Sequence, residues 1–197
     1  GSGELYSWDW SGKYPFPRVP KGCRIENPDP VQLSKEVKKS ARFFGASMVG
    51  ICELDQRWLY SSSYYLTREG VKSGKIELPE EYKYAIAIGI EMDYDAINTS
   101  PAHPASITTG YAYSEMAKVS SMLAYFIRGL GFKAIPAGND TGCSIPIAID
   151  AGFGELSRNG LLITPEFGPR VRLAKVFTDL PLIPDQPINF GVWEFCK

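Results

Sequence analysis

Side chains able to do chemistry concentrate between Gly138 and Asp179. There a Gly138-Asn139-Asp140-Thr141-Gly142 turn, an apolar run Ile145–Ala151, the pair Gly152 and Gly154, and the arginines Arg158, Arg170 and Arg172 follow one another. Glycine lets a backbone approach a large ligand closely, and Asn, Asp and Thr in a turn present amides, carboxylates and hydroxyls to its edges. Together they suit a site for something large and polar-rimmed. Periodicity serves equally well a reading in which Gly152 and Gly154 only separate elements.

Other chemistries are excluded by what the chain lacks. Its one histidine, His103, sits in Ser100-Pro101-Ala102-His103-Pro104 and reads as a solvated loop residue. A histidine-rich metal centre is therefore impossible and a Ser-His-Asp triad has little support. The cysteines, Cys23, Cys52, Cys143 and Cys196, are scattered with no C-x-x-C pair, so neither a zinc site nor a complete iron–sulfur site can be read from them. A net charge of −1 and a pI near 5.9 give no basic footprint for nucleic acid. No apolar run reaches the length of about 18 residues that spans a bilayer. Gly1-Ser2-Gly3 reads as a cloning remnant rather than the start of a signal peptide.

The elements that must position these residues follow from spacing. Residues 6–20 carry Trp8, Trp10, Tyr14 and Phe16 among prolines, an extended aromatic strap that covers core or closes a pocket. Asp29-Pro30 starts a helix whose Leu33, Val37, Ala41 and Phe44 share a face and which stops at Gly45. Residues 47–52 read as a short buried strand, 64–80 as a polar excursion, 84–92 as a central strand apolar on both faces, and 93–104 as a loop. Met116, Val119, Leu123, Phe126 and Leu130 write a long helix over 106–130, with Thr109 and Tyr113 one turn apart on one face. A strand at 132–136, a short helix at 144–151, and a hairpin of 161–164 with 171–178 complete a single α+β layer domain with an antiparallel or mixed sheet.

Ala148–Leu182, AIDAGFGELSRNGLLITPEFGPRVRLAKVFTDLPL, followed by PD-P and FGV-EFC, resembles the corrinoid-binding region of the respiratory reductive dehalogenases, and the likeness runs from about Glu36 to Cys196. The epoxyqueuosine reductases, which act on tRNA, share a looser version. The resemblance implies a nitroreductase-like core over 29–197 behind an N-terminal strap at 1–28. It also implies a base-off corrinoid, since no D-x-H-x-x-G motif offers cobalt a histidine. In the family, FGV-EFC opens a C-x-x-C-x-x-C-x-x-x-C-P module with two [4Fe–4S] clusters. Cys196 alone cannot hold one, so this chain reads as the corrinoid domain without that module. Full-length members are exported through a twin-arginine signal and held at the outer face of the cytoplasmic membrane by a small membrane anchor protein; a homodimer is a further expectation.

By motif, the family's proton-donating tyrosine matches Tyr113, its asparagine Asn139 and its basic residue Arg172. Gly138, Asp140, Thr141, Gly142, Ser144, Gly152, Gly154, Arg158, Asn159, Leu162, Thr164 and Arg170 are expected to hold the corrinoid, and Thr109, Trp8 and Trp10 to line the organohalide pocket. A phenol of pKa near ~10 is a reluctant acid, and an adjacent guanidinium stabilises the phenolate. The competing readings are Tyr113 as an ordinary helix aromatic, Arg170 in place of Arg172, and Tyr111 as the phenol, although Tyr111 lies about 200° around the helix from Tyr113. The functional alternatives are a corrinoid-binding module without turnover and an epoxyqueuosine reductase-like enzyme with Asp140 as its acid.

Overall fold

Asp29 opens the first helix by accepting the Val31 amide at 2.9 Å, Pro30 fills the first turn, and Gly45 at φ 116° closes it, giving α1 (Pro30–Phe44) the ends its sequence dictates. The computed structural model describes residues 22, 24–67 and 70–197. The strap with Trp8 and Trp10 falls outside the described residues. After α1 come β1 (Met48–Glu53), β2 (Ser62–Thr67), β3 (Gly70–Lys75) and β4 (Tyr84–Glu91), then α2 (Tyr94–Asn98) and α3 (His103–Gly129). β5 (Ala134–Ala137), α4 (Ser144–Asp150), β6 (Glu155–Leu156), β7 (Leu162–Ile163), β8 (Val171–Thr178) and α5 (Val192–Phe195) follow.

Four strands form the central sheet in the order β1-β4-β8-β5, antiparallel at every pairing. Alternation along β4 sorts its side chains between two layers. Ile86, Ile88 and Ile90 face α1 and α3 with Leu33, Val37, Met116, Val119 and Leu123, whereas Ala85 and Ala87 face α4 with Ile147, Ala148 and Phe177. Both faces are covered, which is why 84–92 reads as uninterrupted apolar sequence.

Three expectations change. The polar excursion is an antiparallel hairpin of β2 with β3. The loop before the long helix holds α2, and His103 is the first residue of α3, exposed there rather than in a loop. The expected hairpin of 161–164 with 171–178 does not form: β7 pairs with β6, and β8 lies between β4 and β5. Alternation marks a strand without naming its partner, and β8 is drawn into the sheet by the apolar faces of Ala174, Val176 and Phe177, each 2% exposed or less.

The proline-rich exit caps the outer edge of β1 at Ile51. Asp185 donates its own amide to the Ile51 carbonyl at 2.8 Å, accepts the Ile51 amide on Oδ2 at 2.8 Å, and pairs through Oδ1 with Lys38 of α1 at 2.6 Å. One residue thus satisfies the Ile51 amide and carbonyl and ties helix to sheet. Asp185→Ala strands the buried Ile51 amide and is expected to lower unfolding free energy by about 1–3 kcal/mol in urea titrations, with Asp185→Asn milder. An unchanged midpoint for the alanine variant would contradict this role.

Candidate active site

α3 and β8 bring a phenol and a guanidinium together. Along β8, Arg172 shares the α3-facing side with Ala174 and Val176, and its Nη1 donates to Tyr113 Oη at 3.2 Å while its Cζ lies 4.7 Å from the Tyr113 ring centre. The guanidinium is held by both its edge and its face. Its Nε is buried with no hydrogen-bond partner among the described residues. Arg170 is committed elsewhere: Nη1 reaches Glu91 at 3.0 Å and the Met92 carbonyl at 2.6 Å, with the guanidinium over Tyr94. Tyr111 is 64% exposed and Tyr113 41%, so the phenol on the arginine is also the better sheltered one.

The turn at 138–142 is built on a residue the sequence reading passed over. Lys175 of β8 is 1% exposed, and its ammonium donates to the carbonyls of Gly138 and Gly142, the latter at 2.6 Å, and to Ser144 Oγ at 3.0 Å. An ammonium has three protons, and all three are used. Burial pushes the group down to about 8, against the opposing pull of Asp140 and Cys143. A lysine inside the apolar pattern of 171–178 is the signal that could have revealed it, because a buried cation must have partners. Residues 58–60 brace the turn from outside, with the Trp58 carbonyl accepting the Cys143 amide at 2.7 Å and the Tyr60 amide donating to the Thr141 carbonyl at 3.1 Å.

Beside this turn lies a cleft of about 180 Å³ lined by Asn139, Ser144, Leu162 and Arg172 among others. Through Leu161 and Pro169 it shares walls with a groove of about 550 Å³ that Arg158, Asn159, Phe190 and Phe195 border. β5 covers only Lys175–Thr178 of β8, so no described strand pairs with 171–174 on that side, where the cleft opens. Backbone N–H and C=O groups at such an edge are available to a ligand.

Several expected site residues have contacts within the fold. A Cβ at Gly154 would lie 1.9 Å from the Ile163 carbonyl oxygen, one at Gly152 2.8 Å from that of Gln186, and one at Gly142 2.8 Å from that of Trp58. Protein backbone makes a close approach that requires glycine there. Thr164 closes its own turn, Oγ1 donating to Gly168 and accepting from Phe167, both at 3.1 Å. Asn159 Oδ1 accepts the Leu161 amide at 3.2 Å, Asp140 accepts the Gly138 amide at 3.1 Å, and Arg158 donates to the Cys196 carbonyl at 3.3 Å. Thr141 is 1% exposed with its hydroxyl unpartnered. Thr109 donates to Met92 Sδ at 3.8 Å and lines a separate hollow between α2 and α3, not the cleft of Asn139 and Arg172, because the helix turns its first residues toward α2. Among the described residues no group of three His, Cys, Asp or Glu side chains is placed to bind a metal ion.

No family model matches the sequence. Curated relatives do: the chain is 42% identical over 98% of its length to a tetrachloroethene reductive dehalogenase of Dehalobacter restrictus, and 40% identical over 86% to that of Sulfurospirillum multivorans. The chain belongs to the reductive dehalogenase family. It spans about 40% of the length of these relatives. Among solved structures, the catabolic reductive dehalogenase NpRdhA superposes with a TM-score of 0.76 at 28% identity, over 85% of this chain and 24% of that one. Another, described as showing B12-dependent dehalogenation, superposes at 0.77 and 26% identity, over 90% of this chain and 25% of that one. The likeness to epoxyqueuosine reductases is shallower. A Lactococcus garvieae enzyme matches at 37% identity over 26% of this chain and 15% of its own length. A solved structure with a tRNA stem loop, at 18% identity and a TM-score of 0.57 over 80% of this chain and 48% of that one, shares the fold.

The lysine under the turn has a measurable proton signature. Its pKa in the fold, about 8, lies below the ordinary lysine value of 10.5. Between these values the unfolded chain binds more protons than the folded one, so the stability traceable to this group rises with pH. The unfolding free energy of the parent minus that of Lys175→Met should therefore climb by about 1 kcal/mol per pH unit between pH 8 and 10 in urea titrations. A flat or falling difference would show that the ammonium is not desolvated.

Proposed function

We propose that this chain forms the corrinoid-holding and substrate-facing part of a reductive dehalogenase, which replaces a carbon–halogen bond of a small organohalide by carbon–hydrogen. The observation that carries the reading is the 3.2 Å contact of Arg172 with Tyr113, set beside the cleft of Asn139 and Ser144. Chloroethenes are the proposed substrates, because the curated relatives are tetrachloroethene enzymes. A halogenated aromatic, 3-bromo-4-hydroxybenzoic acid, is the compound in a complex of NpRdhA.

The residues present fit a large amide-rimmed macrocycle. Asn159, the uncovered 171–174 edge of β8 and the unpartnered Arg172 Nε offer donors and acceptors around an apolar floor of Leu161, Leu162 and Pro169. When bound, a corrinoid supplies the electrons and the nucleophilic metal for carbon–halogen cleavage. His103 lines neither part of the groove.

The chain's own part is the proton. Tyr113 Oη gives it to the carbon that loses halogen, and the Arg172 N–H already directed at that oxygen stabilises the negative charge left behind, at a contact needing little reorganisation. Asn139, at the wall of the cleft that Arg172 also lines, meets the departing halide. No helix among the described residues is long and apolar enough to cross a membrane, and membrane attachment of the whole protein is assigned to a separate anchor.

Cobalamin added to the chain should give a stoichiometric base-off visible spectrum. With a low-potential chemical reductant and a chloroethene, Tyr113→Phe should turn over about 10²-fold slower or worse while binding cobalamin like the parent. Equal rates for Tyr113→Phe and parent would remove the proton-donor assignment. Absence of any cobalamin spectrum would remove the reading altogether.

A further inference from the structure

Asn139 stands at the cleft wall with an ambiguous group: a carboxamide offers an oxygen on one side and an NH2 on the other, and only one of the two can face the ligand. The structure connects this choice to Lys175. The lysine ammonium donates to Ser144 Oγ at 3.0 Å, and Ser144 Oγ donates to Asn139 Oδ1 at 3.4 Å. An ammonium can only donate. Ser144 must accept from it, and the single hydroxyl proton is left free for Asn139. No bond from the Asn139 NH2 to a described residue accompanies this contact.

We propose that Ser144 and Lys175 are positioning residues for dehalogenation: their one-way hydrogen-bond relay holds the Asn139 oxygen against Ser144 and turns its NH2 into the cleft as a donor. This rests on the function proposed above and assigns the site a polarity. Asn139 presents N–H to whatever accumulates negative charge there, so it stabilises a departing halide and not a cation. Ser144 reaches the ligand through Asn139 rather than by holding the cofactor itself. The geometry gives the relay a fixed direction, because its first member has no lone pair while protonated and is 1% exposed, with Gly138 and Gly142 taking its other protons.

The test compares Ser144→Ala, which deletes the hydroxyl, with Ser144→Thr, which keeps it. Nitrogen-15 relaxation of the Asn139 side-chain amide, assigned by its loss in Asn139→Asp, is measured on the chain alone. The order parameter should fall in Ser144→Ala and recover in Ser144→Thr. In the reduced, cobalamin-loaded protein with a chloroethene, kcat should fall about tenfold in Ser144→Ala with KM and cobalamin affinity unchanged, and return in Ser144→Thr. Lys175→Met should also free the Asn139 amide where it folds, and the serine pair decides the matter where it does not. If Ser144→Ala leaves both the Asn139 order parameter and kcat at parental values, the relay is refuted. That result is distinct from failure of the functional reading, which would appear as absence of any cobalamin spectrum.

Discussion

A cation buried in a sheet constrains everything around it. Lys175 replaces an apolar residue in the strand, and its charge can stay there only while Gly138, Gly142 and Ser144 are held in place to receive it. The strand cannot slide by one residue without moving the ammonium to the opposite face, and the turn cannot open without abandoning it. Sheet register and turn geometry are therefore one constraint, with Asn139 as its outward-facing product. Arg172, three residues earlier on the same strand, inherits that register and meets Tyr113 because of it.

The two halves of the candidate site are assembled by different physics. Tyr113 arrives on a 27-residue helix whose buried stripe of Met116, Val119, Leu123 and Ile127 is fixed by hydrophobic contact with the sheet. Asn139 arrives on a turn stitched by hydrogen bonds. Packing sets the coarse distance between helix and sheet, and directional polar contacts set which atoms face each other across it.

Features written in local spacing were legible in the sequence. The capped first helix, the uninterrupted apolar β4 and the long amphipathic α3 follow directly from periodicity and end signals. Tyr113, Asn139 and Arg172 were singled out through family likeness, and no periodicity pointed to them. Pairing was the weak point. Alternation at 161–164 and 171–178 suggested a hairpin, but a strand's partner is a tertiary choice, and β8 joined β4 and β5. Gly152 and Gly154 carried the same ambiguity: a glycine approached by a ligand and one approached by the protein's own carbonyl read identically until Ile163 and Gln186 are placed. Lys175 and Asp185 were missed because each acts over a long sequence separation, the latter across 134 residues to Ile51.

The blunted margins of the central sheet bear on how this protein meets its surroundings. One flank is capped at Ile51 by the main chain and carboxylate of Asp185, and the other is a four-residue strand interrupted by Pro136, which has no amide hydrogen to offer. Strand-by-strand growth with another polypeptide is thereby discouraged at both ends. The short bare stretch of β8 beyond Ala137 is recessed among side chains of the cleft, accessible to a small polar rim yet sheltered from a whole β-ribbon. The same economy of edge that guards against fibre formation leaves residues 171–174, among the described residues, open to the cleft of Asn139 and Arg172.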